Sequence, residues 1–85
     1  MANLDFSAAL LQLKAGQKIA RAGWNGKGMF LVLVYPDEYA VHGVPAVAGK
    51  KLLPWIGMKT AQDDFVPWLA SQTDVLAGDW QVVGA

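Results

Sequence analysis

The sequence contains no cysteine and a single histidine, His42. Disulfides and thiolate metal sites are therefore excluded. One imidazole cannot supply the tetrahedral ligand set of a structural zinc. Charge is also scarce. Only 16% of the residues are charged, and seven Lys+Arg balance seven Asp+Glu. That leaves no basic surface of the kind that DNA or RNA binding depends on. No apolar run approaches the roughly 18–20 residues of a membrane span. The N-terminus lacks the charged start and apolar core of a signal peptide. The expectation is a cytoplasmic protein with no membrane partner.

What is abundant is apolar surface: 54% of the 85 residues are hydrophobic. The length fits one domain over residues 1–85. A domain this size buries only about 60–65% of its unfolded surface. Small cores are usually reinforced by disulfides, metals or self-association. With the first two excluded, a homodimer or homotetramer is expected, and a lone chain should expose apolar surface. The charges are also segregated. Beyond Lys59 they are all acidic, at Asp63, Asp64, Asp74 and Asp79. A contact between subunits or the folding of one half onto the other would each use that asymmetry.

The pattern reads as α+β, with an N-terminal helix packed on a small antiparallel sheet. Asp5 is placed to cap a helix over residues 5–15. Phe6, Leu10 and Leu13 make its apolar stripe, and Gly16 is placed to end it. Gln17–Ala22 reads as a short strand with Ile19 inward. Asn25-Gly26 is a strong hairpin-turn dipeptide. Met29–Tyr35 is a continuous apolar run ended by Pro36, which predicts a strand buried on both faces. One helix can cover only one of those faces. Residues 36–53 carry turn chemistry. Trp55–Thr60 reads as a third strand, Ala61–Asp64 as a turn and Trp80–Val83 as a last strand. Phe65–Ser71 is ambiguous, because Pro67 can open a helical turn or break an edge strand. Thr73-Asp74 is placed to cap a short helical turn through Leu76, closed by Gly78.

Enzyme readings find little to stand on. His42 lies alone in a Gly/Pro-rich loop and reads as a surface residue. Ser71 and His42 lack a third triad member. Asp63-Asp64 reads as a solvated turn. Gly23–Gly28 matches neither the dinucleotide nor the P-loop pattern, and a hairpin explains its glycines. The four tryptophans carry more information. Trp80 precedes Val82-Val83 and reads as core. Trp55 reads as core or interface. Trp24 and Trp68 sit beside turn chemistry and polar neighbours, where a stacking platform for a nucleobase is as good a reading as packing. Nearby hydroxyls, amides and a carboxylate suit ribose and base edges. Lys18, Arg21, Lys27 and Lys59 suit phosphates.

Two segments carry a family resemblance: FSAALLQLKAGQKIARAGWNGKGMFLVLV and MKTAQDDFVPWLASQTDVLAGDW. In this order they resemble the second Thoeris anti-defence family of phage and prophage proteins. The resemblance covers most of the chain and leaves residues 36–55 as the divergent part. It implies a non-catalytic sponge that sequesters an isomer of cyclic ADP-ribose, the signal of a bacterial immune system, without cleaving it. It also implies binding of cyclic oligonucleotides by some members, a homo-oligomer with ligand pockets between protomers, and no cofactor. Carried over position by position, the resemblance implies a ligand site at Trp24, Asn25 and Met29, at Met58, Lys59 and Thr60, and at Trp68, Ser71, Gln72, Thr73 and Asp74. Two other classes remain: a structural or regulatory phage module with no nucleotide ligand, and an enzyme acting on such nucleotides.

Overall fold

The computed structural model describes residues 3–24, 27–38 and 43–84. Asn25-Gly26 and His42 lie outside the described residues. The chain enters its first helix where the sequence predicts. The Asp5 carboxylate accepts the Ala8 amide at 2.8 Å, and α1 runs over Phe6–Lys14. Ala9 and Leu13 are fully buried on its inner face. Its end is a Schellman turn. The Gly16 amide donates to Leu13 and the Gln17 amide to Gln12, at 3.1 and 3.0 Å. Gly16 sits at φ +92°, where a side chain would be strained.

Five strands follow: β1 (Ile19–Arg21), β2 (Phe30–Val34), β3 (Trp55–Lys59), β4 (Phe65–Pro67) and β5 (Trp80–Val82). They form one antiparallel sheet in the order β4-β3-β2-β1-β5. The divergent segment contributes two 3-10 turns, Pro36–Glu38 and Pro45–Val47. A four-residue helix, α2 (Gln72–Val75), lies between β4 and β5. The observed architecture is α+β, as the sequence predicts.

Register assigns the faces, because directly opposed residues point the same way. Ile19 opposes Leu31 and Val82, Leu31 opposes Met58, Met58 opposes Val66, and Arg21 opposes Trp80. These residues share the face under α1. There Ala9, Leu13, Ile19, Leu31 and Trp80 form the buried core. The opposite face carries Phe30, Val32, Val34, Trp55, Lys59, Phe65 and Pro67. The Lys18 ammonium lies 4.9 Å from the centre of the Phe30 ring.

The prediction that the Met29–Tyr35 run is buried on both faces holds only in part. In the single chain Leu31 and Val34 are buried, one from each face, while Phe30, Val32 and Leu33 are half-buried and Tyr35 is exposed. The reason is geometric. Among the described residues α1 is the only helix long enough to cover a sheet, and it covers one side. A shallow groove of about 840 Å³ runs along the other side, walled by Val32, Val34, Tyr35 and Phe65.

β4 is an edge strand, which resolves the reading of Pro67. The Trp68 amide donates to the Ile56 carbonyl at 2.9 Å. Strand alternation then turns the missing N–H of Pro67 to the open edge, where it breaks no ladder bond. The strand is also held from above. The Phe65 ring lies on Gly57, so close that a Cβ there would fall 2.2 Å from the ring. Gly57→Ala must therefore expel Phe65. A loss of about 1–3 kcal/mol is expected, the usual cost of overpacking, measured as a lower urea midpoint. A variant of wild-type stability would contradict this packing.

Candidate functional site

At the β5 end of the sheet, under α1, four aromatic rings meet. Trp80 is fully buried at the centre. Trp24 and Trp68 each contact it edge-on, with centroids 5.5 and 6.0 Å away and interplanar angles of 79° and 86°. Phe6 of α1 packs against Trp80 at 5.3 Å and Trp68 at 6.3 Å. Such tilted and T-shaped contacts suit the quadrupoles of the rings. Trp24 and Trp68 are only half-buried, so part of each ring stays accessible.

Beside the rings stands α2, and its start corrects one expectation. Ser71, not Thr73-Asp74, caps the turn. Ser71 is extended, at φ −81° and ψ 163°, and its hydroxyl accepts the Asp74 amide at 3.0 Å. Asp74 answers from the third helical position. Its Oδ2 accepts the Ser71 hydroxyl at 2.8 Å and the Ser71 amide at 3.4 Å. This is a reciprocal capping box. Gln72 and Thr73 are exposed on the first turn.

Asp74 is a hub. Its Oδ1 accepts Arg21 Nη1 at 2.9 Å, and its backbone carbonyl accepts the Trp80 indole N–H at 2.9 Å. Arg21 Nε donates to Asp79 Oδ1 at 2.8 Å, and Asp79 Oδ2 accepts the Gly23 amide at 2.9 Å. The sequence segregates bases early and acids late; folding of the chain onto itself uses that asymmetry here.

These contacts set the ionisation of the group. Burial opposes the charge on Asp74, but hydrogen bonds from Arg21 and Ser71 outweigh it and hold the pKa below the usual carboxylate value. The Arg21 hydrogen bond chiefly does the same for Asp79, with help from the Gly23 amide. Asp79 and Asp74 in turn raise the pKa of Arg21. For both carboxylates the unfolded chain binds protons more readily, so stability rises with pH. Their contribution is fully present above the ordinary value of 3.8 and is lost as pH falls through the lower folded values. The melting temperature should therefore begin to drop near about pH 4 in the wild type. In Arg21→Gln the folded values move back toward the ordinary one, so this acid-side drop should shrink. Superimposable profiles would show that the ion pairs add nothing.

The structure gathers Trp24, Trp68, Ser71, Gln72, Thr73 and Asp74 at this end. Met58 shares their sheet face and packs on the core. Met29 is half-buried just ahead of β2. Thr60 closes the β3–β4 turn, its hydroxyl accepting the Asp64 amide at 3.0 Å. Lys59 is elsewhere. It opposes Phe30 and Phe65 on the other sheet face, with its ammonium 3.3 Å from Asp63. Asn25 lies outside the described residues. Sequence reasoning did not anticipate Phe6 and Asp79 as supports of the site, or Ser71 as the cap.

The model of the Thoeris anti-defense 2-like domain matches residues 4–83. The chain belongs to that family. The protein named Thoeris anti-defense 2 from Bacillus phage SP01 is 40% identical over 84 residues, covering 94% of each chain. The family model spans α1, every strand and α2, so the aromatic cluster and its carboxylate hub lie wholly within the family domain.

Proposed function

We propose that the chain is a non-catalytic sponge that captures a cyclic ADP-ribose-type signal and so blocks Thoeris defence in the host bacterial cytoplasm. The anti-Thoeris role follows from family membership. The observation that supports nucleotide capture is the pair of half-buried indoles, Trp24 and Trp68, braced against Trp80 beside the exposed polar side chains of Gln72 and Thr73. Braced rings stack on a base without first being ordered. Hydroxyl and amide groups beside them meet ribose and base edges.

The phosphates need cations, and Arg21 is occupied by two carboxylates. Lys59 lies on the face opposite Trp68. A small ligand that touches both is held between two copies of the chain. The surface suits self-association: Leu69, Leu76 and Leu53 are 91%, 80% and 61% exposed, and Phe65 and Val66 are also exposed. We therefore expect a homodimer or homotetramer at micromolar concentration. Sedimentation that shows only a 9.1 kDa species would remove this part of the proposal.

The nucleotide reading is tested by titrating the protein with glycosidically linked cyclic ADP-ribose and, separately, with cyclic dinucleotides, while following tryptophan fluorescence. Saturable quenching by the ADP-ribose compound is expected, because stacking places a base on an indole. No change with either class would favour a structural phage module whose tryptophans serve packing alone.

A further inference from the structure

We propose that Arg21 is a positioning residue that presets the Trp24 wall of the candidate site, an inference that rests on the nucleotide-binding reading for its ligand but not for its geometry. Arg21 lies on β1, three residues before Trp24. Its guanidinium bridges two separate segments: Nη1 reaches Asp74 in α2 and Nε reaches Asp79 ahead of β5, at 2.9 and 2.8 Å. A planar fork fixes the spacing of two carboxylates in a way that an ammonium on a flexible stem does not.

Trp24 is tied to Arg21 itself and to the Asp79 end of this fork. Its amide donates to the Arg21 carbonyl at 3.3 Å. The Gly23 amide just before it donates to the free oxygen of Asp79, and the Ala22 amide donates to the Asp79 carbonyl at 3.0 Å. The approach is tight, since a Cβ on Gly23 would fall 3.0 Å from Asp79 Oδ2. The Arg21, Asp74 and Asp79 side chains are 18%, 16% and 28% accessible, so the clamp is largely shielded from solvent. Arg21 thus sets where Trp24 stands relative to Trp68 and α2 and makes no ligand contact of its own.

The distinction is visible in rates. Loss of a positioning residue lowers the fraction of protein that is competent to bind, which slows association and leaves dissociation almost unchanged. Loss of a direct contact speeds dissociation. In Arg21→Lys, assayed where hydrogen exchange shows the β2–β3 ladder still protected, association of a cyclic ADP-ribose-type nucleotide should slow about tenfold, with dissociation within about twofold of wild type. The exciton circular dichroism of the coupled indoles should weaken in the same variant with no ligand present. If Arg21→Lys does not fold, Asp79→Asn serves. It can keep its one acceptor oxygen for Gly23 but then turns an amide NH2 toward Arg21 Nε, so the Asp79 arm of the fork is lost while the Asp74 arm remains, and it should shift the same two readouts in the same direction.

Unchanged exciton dichroism and unchanged rates in a folded variant would overturn the proposal and leave Arg21 as a stabilising ion pair. Faster dissociation with unchanged association would overturn it in favour of a direct contact. If the wild type binds no nucleotide but the exciton signal still weakens in the variant, Arg21 positions Trp24 and the nucleotide reading is what fails.

Discussion

Trp24→Ala and Trp68→Ala are each expected to lose ligand capture while remaining folded. A stacked base contributes about 1–3 kcal/mol per aromatic platform, so removal of one indole should weaken binding by about 5- to 150-fold. The two substitutions differ in their structural consequences. Trp24 touches Trp80 alone among the described rings. Trp68 touches both Trp80 and Phe6. Because both rings are half-buried, some stability should go with each, more for Trp68. Isothermal titration calorimetry, run beside urea denaturation, separates the two effects. Folded variants that bind with wild-type affinity would show that both rings are packing alone.

Trp80→Ala should do the reverse and act first on the fold. The ring is fully buried and is the hub of three aromatic contacts. Its indole N–H satisfies the Asp74 carbonyl, and its backbone exchanges hydrogen bonds with Leu4 at 2.7 and 3.0 Å. Truncation leaves a large cavity and removes the indole hydrogen bond to the Asp74 carbonyl, which keeps the Ala77 amide at 3.3 Å, for a loss of about 3–5 kcal/mol. In a domain this small that is a large share of the total stability. Thermal unfolding should show a strongly lowered midpoint, and binding should fail only because folded protein is depleted. A stable Trp80→Ala variant would mean that the cluster is not the core described here.

The local elements were legible because their signals are local. Asp5, the Phe6/Leu10/Leu13 stripe and Gly16 mark the limits of α1 within a residue. β3 ends one residue earlier than Trp55–Thr60 suggests, because Thr60 turns its hydroxyl to the Asp64 amide. β1 narrows to Ile19–Arg21 and β5 to Trp80–Val82. Pro67 could not be placed from sequence, since its role depends on a register with Gly57 and on the ring of Phe65 above that glycine.

The candidate site was legible as residue types and not as an arrangement. Trp24, Trp68 and the Ser71–Asp74 stretch stand out in the sequence, but nothing in it joins them. The joining element is Arg21, whose partners lie 53 and 58 residues away. The early bases and late acids hint at such pairing without naming the pair. The Ser71 cap did have a local signal, Ser-x-x-Asp, a shortened form of the capping-box pattern. The separation of Lys59 from Trp68 was hidden, because the face a strand residue takes depends on register.

The central claim is capture without chemistry, and one measurement addresses it most directly. The protein is incubated with glycosidically linked cyclic ADP-ribose, freed of unbound ligand by gel filtration, denatured by heat, and the released small molecules are identified by mass spectrometry. Sequestration predicts recovery of the signal at its original mass, in proportion to the protein loaded. Recovery of an altered nucleotide, or of no nucleotide at all, would contradict it.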